Sequence, residues 1–195
     1  MQEQLDQPSA EQVREFVIAG HGDPEKVRRM HAEHPGLLNA AYEWNLNDKE
    51  TAIQAAAQVG NTEIAEYLLE KGAPLSICTA AMLGRQNIVE RLLAEDTNRI
   101  SATGAHGIPL LTHASLSGNL ELVQLIFARG ARTGVSSALQ IAVSRGHYDM
   151  VKWFLENGNP DLALKNFQGK TALTLATERD NKAIVQLLRE HGATQ

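Results

Sequence analysis

The chain has little of several features that mark particular classes of protein. Cysteine occurs once, as Cys78, so the chain cannot form an internal disulfide framework. No apolar run approaches the roughly 18 residues that indicate a membrane span. The first residues also lack the basic start and apolar core of a secretory signal. These absences predict a soluble cytoplasmic protein that has no membrane partner.

Positive charge is scarcer than negative charge, with 18 Lys and Arg against 23 Asp and Glu and a formal net charge of -5. A nucleic-acid-binding protein usually has a broad basic field, so nucleic acid is not expected as a partner. The sequence contains no Gly-x-Ser-x-Gly elbow, no His-Glu-x-x-His pair and no phosphate-binding glycine loop. We therefore expect no enzymatic activity, no cofactor and no metal.

The sequence does contain a repeated phrase, in which an alanine-rich run and a glycine are followed by a branched pair and a leucine-like pair. The clearest copy starts with Thr51–Gly60 and continues with Ile64-Ala65 and Leu68-Leu69. Self-similarity at this period predicts a stacked array whose units bury their apolar faces against each other. The other copies are centred on Gly84, Gly118, Gly146 and Asp180, and a weaker first copy spans Glu11 to His34.

The chemistry of the repeated phrase predicts a helix, a tight turn and a second helix in every unit. Alanine side chains let two helices approach closely, and glycine permits the left-handed backbone that ends a helix. The apolar pairs recur at helical spacing and form one buried stripe. Polar residues such as Arg179 and Lys182 suit the outer face of a terminal unit, so we expect the last unit to close the array.

Three segments resemble the Thr-Pro-Leu-His-x-Ala signature of the ankyrin repeat family, although none has proline at the second position. They are Thr51-Ala-Ile-Gln-Ala-Ala, Pro109-Leu-Leu-Thr-His-Ala and Thr171-Ala-Leu-Thr-Leu-Ala. The resemblance covers residues 11 to 193. It implies an all-α solenoid of about six helix-turn-helix units, in a domain at 10–195 that follows a flexible tail at 1–9.

Long and short units alternate along the chain. The turn positions Gly60, Gly84, Gly118, Gly146 and Asp180 are 24, 34, 28 and 34 residues apart. In the ankyrin family the long connections fold as projecting β-hairpin fingers. We therefore predict three fingers, near residues 39–50, 98–108 and 160–170.

The resemblance also implies a protein-protein interaction module, a scaffold or adaptor, with a partner of unknown identity. In such a module the concave face is formed by the finger tips, by the residue that precedes each signature and by the two residues before the glycine that ends each first helix. We predict partner contacts at Asn47, Asp48, Glu50, Gln58, Met82, Leu83, His106, Ile108, Leu116, Arg145, Phe167, Gln168, Lys170 and Arg179.

Several alternatives stay open at this stage. The apolar residues in the middle of this surface, such as Met82 and Leu116, fit either a dry interface centre or packing in place of missing fingers. The same patch could meet a second copy of the chain. A dedicated inhibitory or immunity-type subunit is an alternative function, and a small metal- or ligand-binding protein that uses His106 and His113 ranks below it. By its place in the family pattern, His113 stands where a first-helix leucine is usual. A buried imidazole that only packs in the core is therefore the alternative to a ligand-binding role.

Overall fold

The structure, a computed structural model, describes residues 7–194. Within that range twelve α-helices form six consecutive pairs, accompanied by one two-stranded antiparallel sheet. The predicted all-α array of six units is confirmed. The helices are α1 (Ala10–Gly20), α2 (Pro24–Glu33), α3 (Ala52–Val59), α4 (Thr62–Glu70), α5 (Ile77–Met82), α6 (Gln86–Glu95), α7 (Leu110–Leu116), α8 (Leu120–Ala128), α9 (Val135–Arg145), α10 (Tyr148–Asn157), α11 (Ala172–Glu178) and α12 (Lys182–Glu190), and the strands are β1 (Ala41–Asn45) and β2 (Asp48–Thr51).

The array begins at a capping box. The backbone N–H of Gln12 donates to the Ser9 hydroxyl, and the backbone N–H of Ser9 donates to the Gln12 side chain. Ser9 therefore belongs to the fold, one residue before the predicted boundary, and positions 1–6 of the expected tail lie outside the described residues. No helix within 7–194 is long and apolar enough to cross a membrane.

The first helices of successive units, α1, α3, α5, α7, α9 and α11, contact each other in order and form an inner layer. Small side chains make this close approach possible. Ala55, Ala56 and Ala57 on α3 are at most 1% exposed. The second helices pack on the outside, each against the first helix of its own unit. Alanine at the inner contacts therefore sets the spacing of the whole array.

The turn between the two helices of a unit uses a left-handed backbone. Gly60, Gly84, Gly118 and Gly146 have φ between 67° and 75°, and Asp180 has φ of 50° at the same place in the last unit. Aspartate is one of the few residues besides glycine that enters this region readily. The structure therefore confirms that Asp180 is the last turn position.

The buried core has two parts that meet at the short helix α5. One cluster joins the first two units, and the other extends from α5 to the end of the array. Met82, the last residue of α5, is 1% exposed and packs into the first cluster beside half-buried Leu83 and Leu116. Helix α5 has only six residues, and the helices on either side of it, α3 and α7, also contact each other directly. Met82 is thus a core residue, which corrects its assignment as a partner contact.

The first predicted finger is a β-hairpin. Strands β1 and β2 pair antiparallel, with Ala41 opposite Thr51 and Tyr42 opposite Glu50. Asn47 at the tip has φ of 65°, a conformation that asparagine tolerates in tight turns. The prediction for residues 39–50 is confirmed.

The second and third connections are not regular hairpins, contrary to expectation. Residues 98–108 contain two 3₁₀ turns and a single bridge between Thr103 and Pro109. In residues 160–170 the Asn166 side-chain oxygen accepts hydrogen bonds from the backbone N–H groups of Gln168 and Lys170, both at 3.0 Å. Local side-chain bonds of this kind compete with a strand ladder.

The second connection packs against the first finger through a buried carboxylate. Glu50 is fully buried, and its Oε2 accepts a hydrogen bond from the Trp44 indole at 2.7 Å. His106 Nε2 lies 3.4 Å from the same oxygen, while His106 Nδ1 donates to Asp48 Oδ2 at 2.8 Å. His21 Nε2 lies 3.6 Å from the other Glu50 oxygen. Glu50 therefore joins elements inside the fold, which corrects its assignment as a contact residue.

These carboxylates change the titration of His106. Partial burial alone would lower its pKa, but the hydrogen bond to Asp48 and the charges of Glu50 and Asp48 outweigh burial and raise the pKa above 6.5. Protonated His106 then compensates the charge of the buried Glu50. The contact is most favourable when the imidazole is charged.

His113 on α7 is a buried, neutral imidazole. It is 1% exposed, its Nδ1 donates to the Ala57 carbonyl at 3.1 Å, and burial lowers its pKa to about 4. Its Nε2 faces the backbone of Gly104, where an added Cβ would lie only 2.3 Å away. The packed interpretation of His113 is therefore correct, and Gly104 is needed for the fit.

Replacement of Gly104 by alanine tests this contact. We expect Gly104→Ala to lower the free energy of unfolding by about 2 kcal/mol, because the new methyl group overpacks His113. Gly22→Ala is the matched control, since a Cβ at Gly22 would meet no atom within 4 Å. Urea unfolding followed by circular dichroism measures both changes. Equal effects of the two substitutions would contradict the proposed fit.

Replacement of His106 tests the contact between finger and loop. Because its folded-state pKa is raised, its contribution is fully present below the unfolded-state pKa of 6.5 and is lost as pH rises through the folded-state value. We expect His106→Gln to lower the free energy of unfolding by about 0.5–1 kcal/mol near pH 5.5 and by clearly less near pH 8.5. Urea midpoints of both proteins across this range give the comparison. A difference that does not change with pH would argue against this ion pair.

Candidate functional site

The inner layer and the loops that follow it enclose a groove of about 760 Å³. One wall is formed by the end of α3 and by α7 with the residues that precede it. The other is formed by α9, α11 and the loop at residues 164–168. Because helices form most of the two walls, the packing of the array sets the shape of the groove. We call this feature the inner groove.

The structure brings half of the predicted contact residues together in the inner groove. They come from four different units, so no short sequence segment contains the site. The groove residues that the sequence predicted are Gln58, Ile108, Leu116, Arg145, Phe167, Gln168 and Arg179.

The remaining predicted residues lie elsewhere. Asn47 is at the tip of the hairpin, and Asp48 beside it binds His106. Leu83 is half-buried against the core beyond the groove. Lys170 borders the groove, and its ammonium group lies 2.7 Å from a Glu178 carboxylate oxygen. Met82 and Glu50, as described above, are buried.

Sequence reasoning missed several residues of the groove wall. The residues not predicted as contacts include Ile141 on α9, Leu175 on α11, and Leu164 and Lys165 in the third connection. Ile141 and Leu175 both lie five residues before a turn position, at the same place in their units as His113. The equivalent residues of other units, such as His113, are buried, so the repeat pattern alone does not show that these two side chains line the groove.

Five apolar side chains of the groove belong to neither core cluster, and one of them, Val59, is 36% exposed at the end of α3. Ile108, Ile141 and Leu164 are half-buried, and Phe167 is 96% exposed. A large apolar side chain that the fold leaves in water is informative when it lies in a concave site beside others. The four residues other than Val59 form what we call the apolar floor of the groove.

The charged residues that line the groove are Arg145, Lys165 and Arg179. Arg145 lies at the end of α9, and its guanidinium donates a hydrogen bond across the groove to the carbonyl oxygen of Val59 at the end of α3. Arginine is suited to this contact, because its remaining N–H groups can still bind a ligand. The bond thus joins the two walls of the groove and places positive charge between them.

The structure does not bring His106 and His113 into a common site. His106 binds Asp48, whereas His113 is buried against Ala57 and Gly104. Within residues 7–194, no three His, Cys, Asp or Glu side chains are placed to hold one metal ion. Cys78 is buried in the core, where burial raises the pKa of its thiol to about 12.

Comparison with known proteins agrees with the repeat architecture. A family model for ankyrin repeats (3 copies) matches residues 16–103 and 110–195. The ankyrin repeat and KH domain-containing protein mask-1 of Caenorhabditis elegans is 30% identical over 132 residues, which cover 64% of this chain and 5% of that protein. A putative ankyrin repeat-containing protein of Treponema pallidum is 30% identical over 135 residues, 65% of this chain and 45% of that protein.

The chain thus spans less than two thirds of the length of either relative. Among solved structures, the ankyrin repeat domain of Bcl-3, described as a unique member of the IkappaB protein family, has a TM-score of 0.48 and 26% identity. The match covers 73% of this chain and 69% of the Bcl-3 chain. The family model covers most of the chain, and each matched range contains complete helix-turn-helix units. This chain therefore belongs to the ankyrin repeat family.

Proposed function

We propose that this chain is a binding module that holds a protein partner in the inner groove, and that it acts in the cytoplasm. The observation that carries this proposal is the apolar floor, which lies in a concave surface without packing into either core cluster. Ankyrin repeats are protein-protein interaction modules, and the family is one of non-enzymatic scaffolds. A single buried cysteine is compatible with the reducing conditions of the cytoplasm.

The arrangement of side chains in the groove supports this proposal. Stable interfaces have an apolar centre surrounded by polar residues that remain hydrated at the edge. Ile108 and Ile141 lie within the groove, while Gln58, Gln168 and Arg179 supply polar groups around them. Ile141 on α9 and Leu116 on α7 are carried by packed helices, so the backbone at these two residues loses little conformational entropy when a partner binds.

Cross-linking tests where the partner binds. We expect a photoreactive amino acid at Phe167 to form a specific adduct with a protein in source cells, because this side chain lines the groove and is 96% exposed. The same amino acid at Tyr148, which is 42% exposed on α10 away from the groove, should not form that adduct. Mass spectrometry of the adducts identifies the partner and reveals whether it is a second copy of the chain.

The purified partner then allows a quantitative measurement. The double variant Phe167→Ser, Ile141→Ser should weaken binding by roughly ten- to a hundredfold in calorimetry, since it removes two apolar contacts. The control variant Tyr148→Ser, Ile18→Ser removes two exposed apolar side chains outside the groove and should bind as the original chain does. Adducts of equal yield from both positions, or equal loss of binding in both variants, would refute the groove as the binding site.

A further inference from the structure

We infer that the inner groove takes an acidic peptide segment with at least one large apolar side chain, an inference that rests on the proposed function. The evidence for this inference is the distribution of charged side chains in the groove. The groove is lined by Arg145, Lys165 and Arg179, and no Asp or Glu is among its described lining residues. The chain as a whole has 23 acidic against 18 basic residues, so the purely basic charge of the groove lining is opposite in sign to the net charge.

The charges of the groove are not neutralised by the fold. In the part of the chain that the structure describes, Arg145, Lys165 and Arg179 have no carboxylate oxygen within 4.0 Å. Lys170 at the border differs, because it is paired with Glu178. The one bond of the Arg145 guanidinium goes to a neutral carbonyl, so its full charge remains for a ligand. Carboxylates of a partner would supply the missing opposite charges.

The net charge of the chain does not prevent an acidic segment from binding there. Exposed charges farther apart than about 8–10 Å are largely screened at physiological salt. A carboxylate inside the groove therefore responds mainly to the cations beside it. Arginine binds carboxylates with two parallel hydrogen bonds, which favours Arg145 and Arg179 as specific contacts.

The apolar floor favours a peptide over a nucleic acid as the source of negative charge. Nucleic acid sites combine a basic stripe that follows the phosphates with several aromatic rings that stack on bases. In the inner groove the floor is mostly aliphatic, with Ile108, Ile141 and Leu164, and Phe167 is the aromatic side chain among the lining residues. A peptide supplies both parts, because an apolar side chain contacts the floor while Asp or Glu meets the cations.

Selection from a phage-displayed random-peptide library on the immobilised chain tests this inference. Compared with the unselected library, the enriched peptides should contain an excess of Asp and Glu over Lys and Arg together with Leu, Ile or Phe. A synthetic copy of an enriched peptide should bind more weakly as salt is added. Enriched peptides without an acidic excess would overturn the inference while leaving the binding function intact.

Charge-reversal variants show whether the peptide occupies the groove. Lys165→Glu, Arg179→Glu should weaken binding of the synthetic peptide by about tenfold, because two attractions become repulsions. Arg29→Glu, Lys182→Glu makes the same change in net charge at exposed positions outside the groove and should have little effect. Circular dichroism confirms that both variants remain folded. Equal weakening in both would mean that only net charge matters, which contradicts a built site.

Two further outcomes are decisive. A single-stranded oligonucleotide that displaces the peptide at the same concentration would overturn the inference in favour of a nucleic-acid ligand. Failure to enrich any peptide would also overturn it, because the groove would then not take a short segment. The cross-linking experiment at Phe167 separates the two proposals, since a protein adduct there supports the binding function even when no acidic peptide binds.

Discussion

Every feature of this protein depends on the close packing of its inner helices against their immediate neighbours. A single helix pair cannot cover its own apolar stripe, so burial is shared along the array. Alanines such as Ala55 and Ala56 make this approach possible, because larger side chains would force the helices apart. The same packing leaves parts of α3, α7, α9 and α11 uncovered, and these parts line the groove. The groove is the part of the inner surface that no neighbouring helix covers.

The sequence predicts the repeated parts of the fold well, because repetition makes local signals reliable. The correspondence of Asp180 with the turn glycines could be read from spacing alone, and the backbone at Asp180 agrees. The hairpin at the first connection was predicted from the length of the unit. The later connections could not be predicted in the same way, since polar side chains such as Asn166 form local hydrogen bonds in place of a strand ladder.

Predictions of the site were less complete for two physical reasons. A position within a repeat shows which way a side chain points in an average unit, but α5 is short and its last residue, Met82, is covered by neighbouring units. Glu50 was expected to face outward, yet it is buried by Trp44 and by His106, contacts that only the folded chain reveals. Arg145 and Phe167, which were also chosen from their positions in the repeat, do line the groove.

The hydrogen bond from Arg145 to Val59 joins residues that are 86 positions apart. Most contacts in such an array lie within a unit or between adjacent units. This hydrogen bond instead links the second unit to the fifth unit, on opposite walls of the inner groove. The Arg145 guanidinium thus adds one long-range contact to the helix packing that sets the shape of the inner groove.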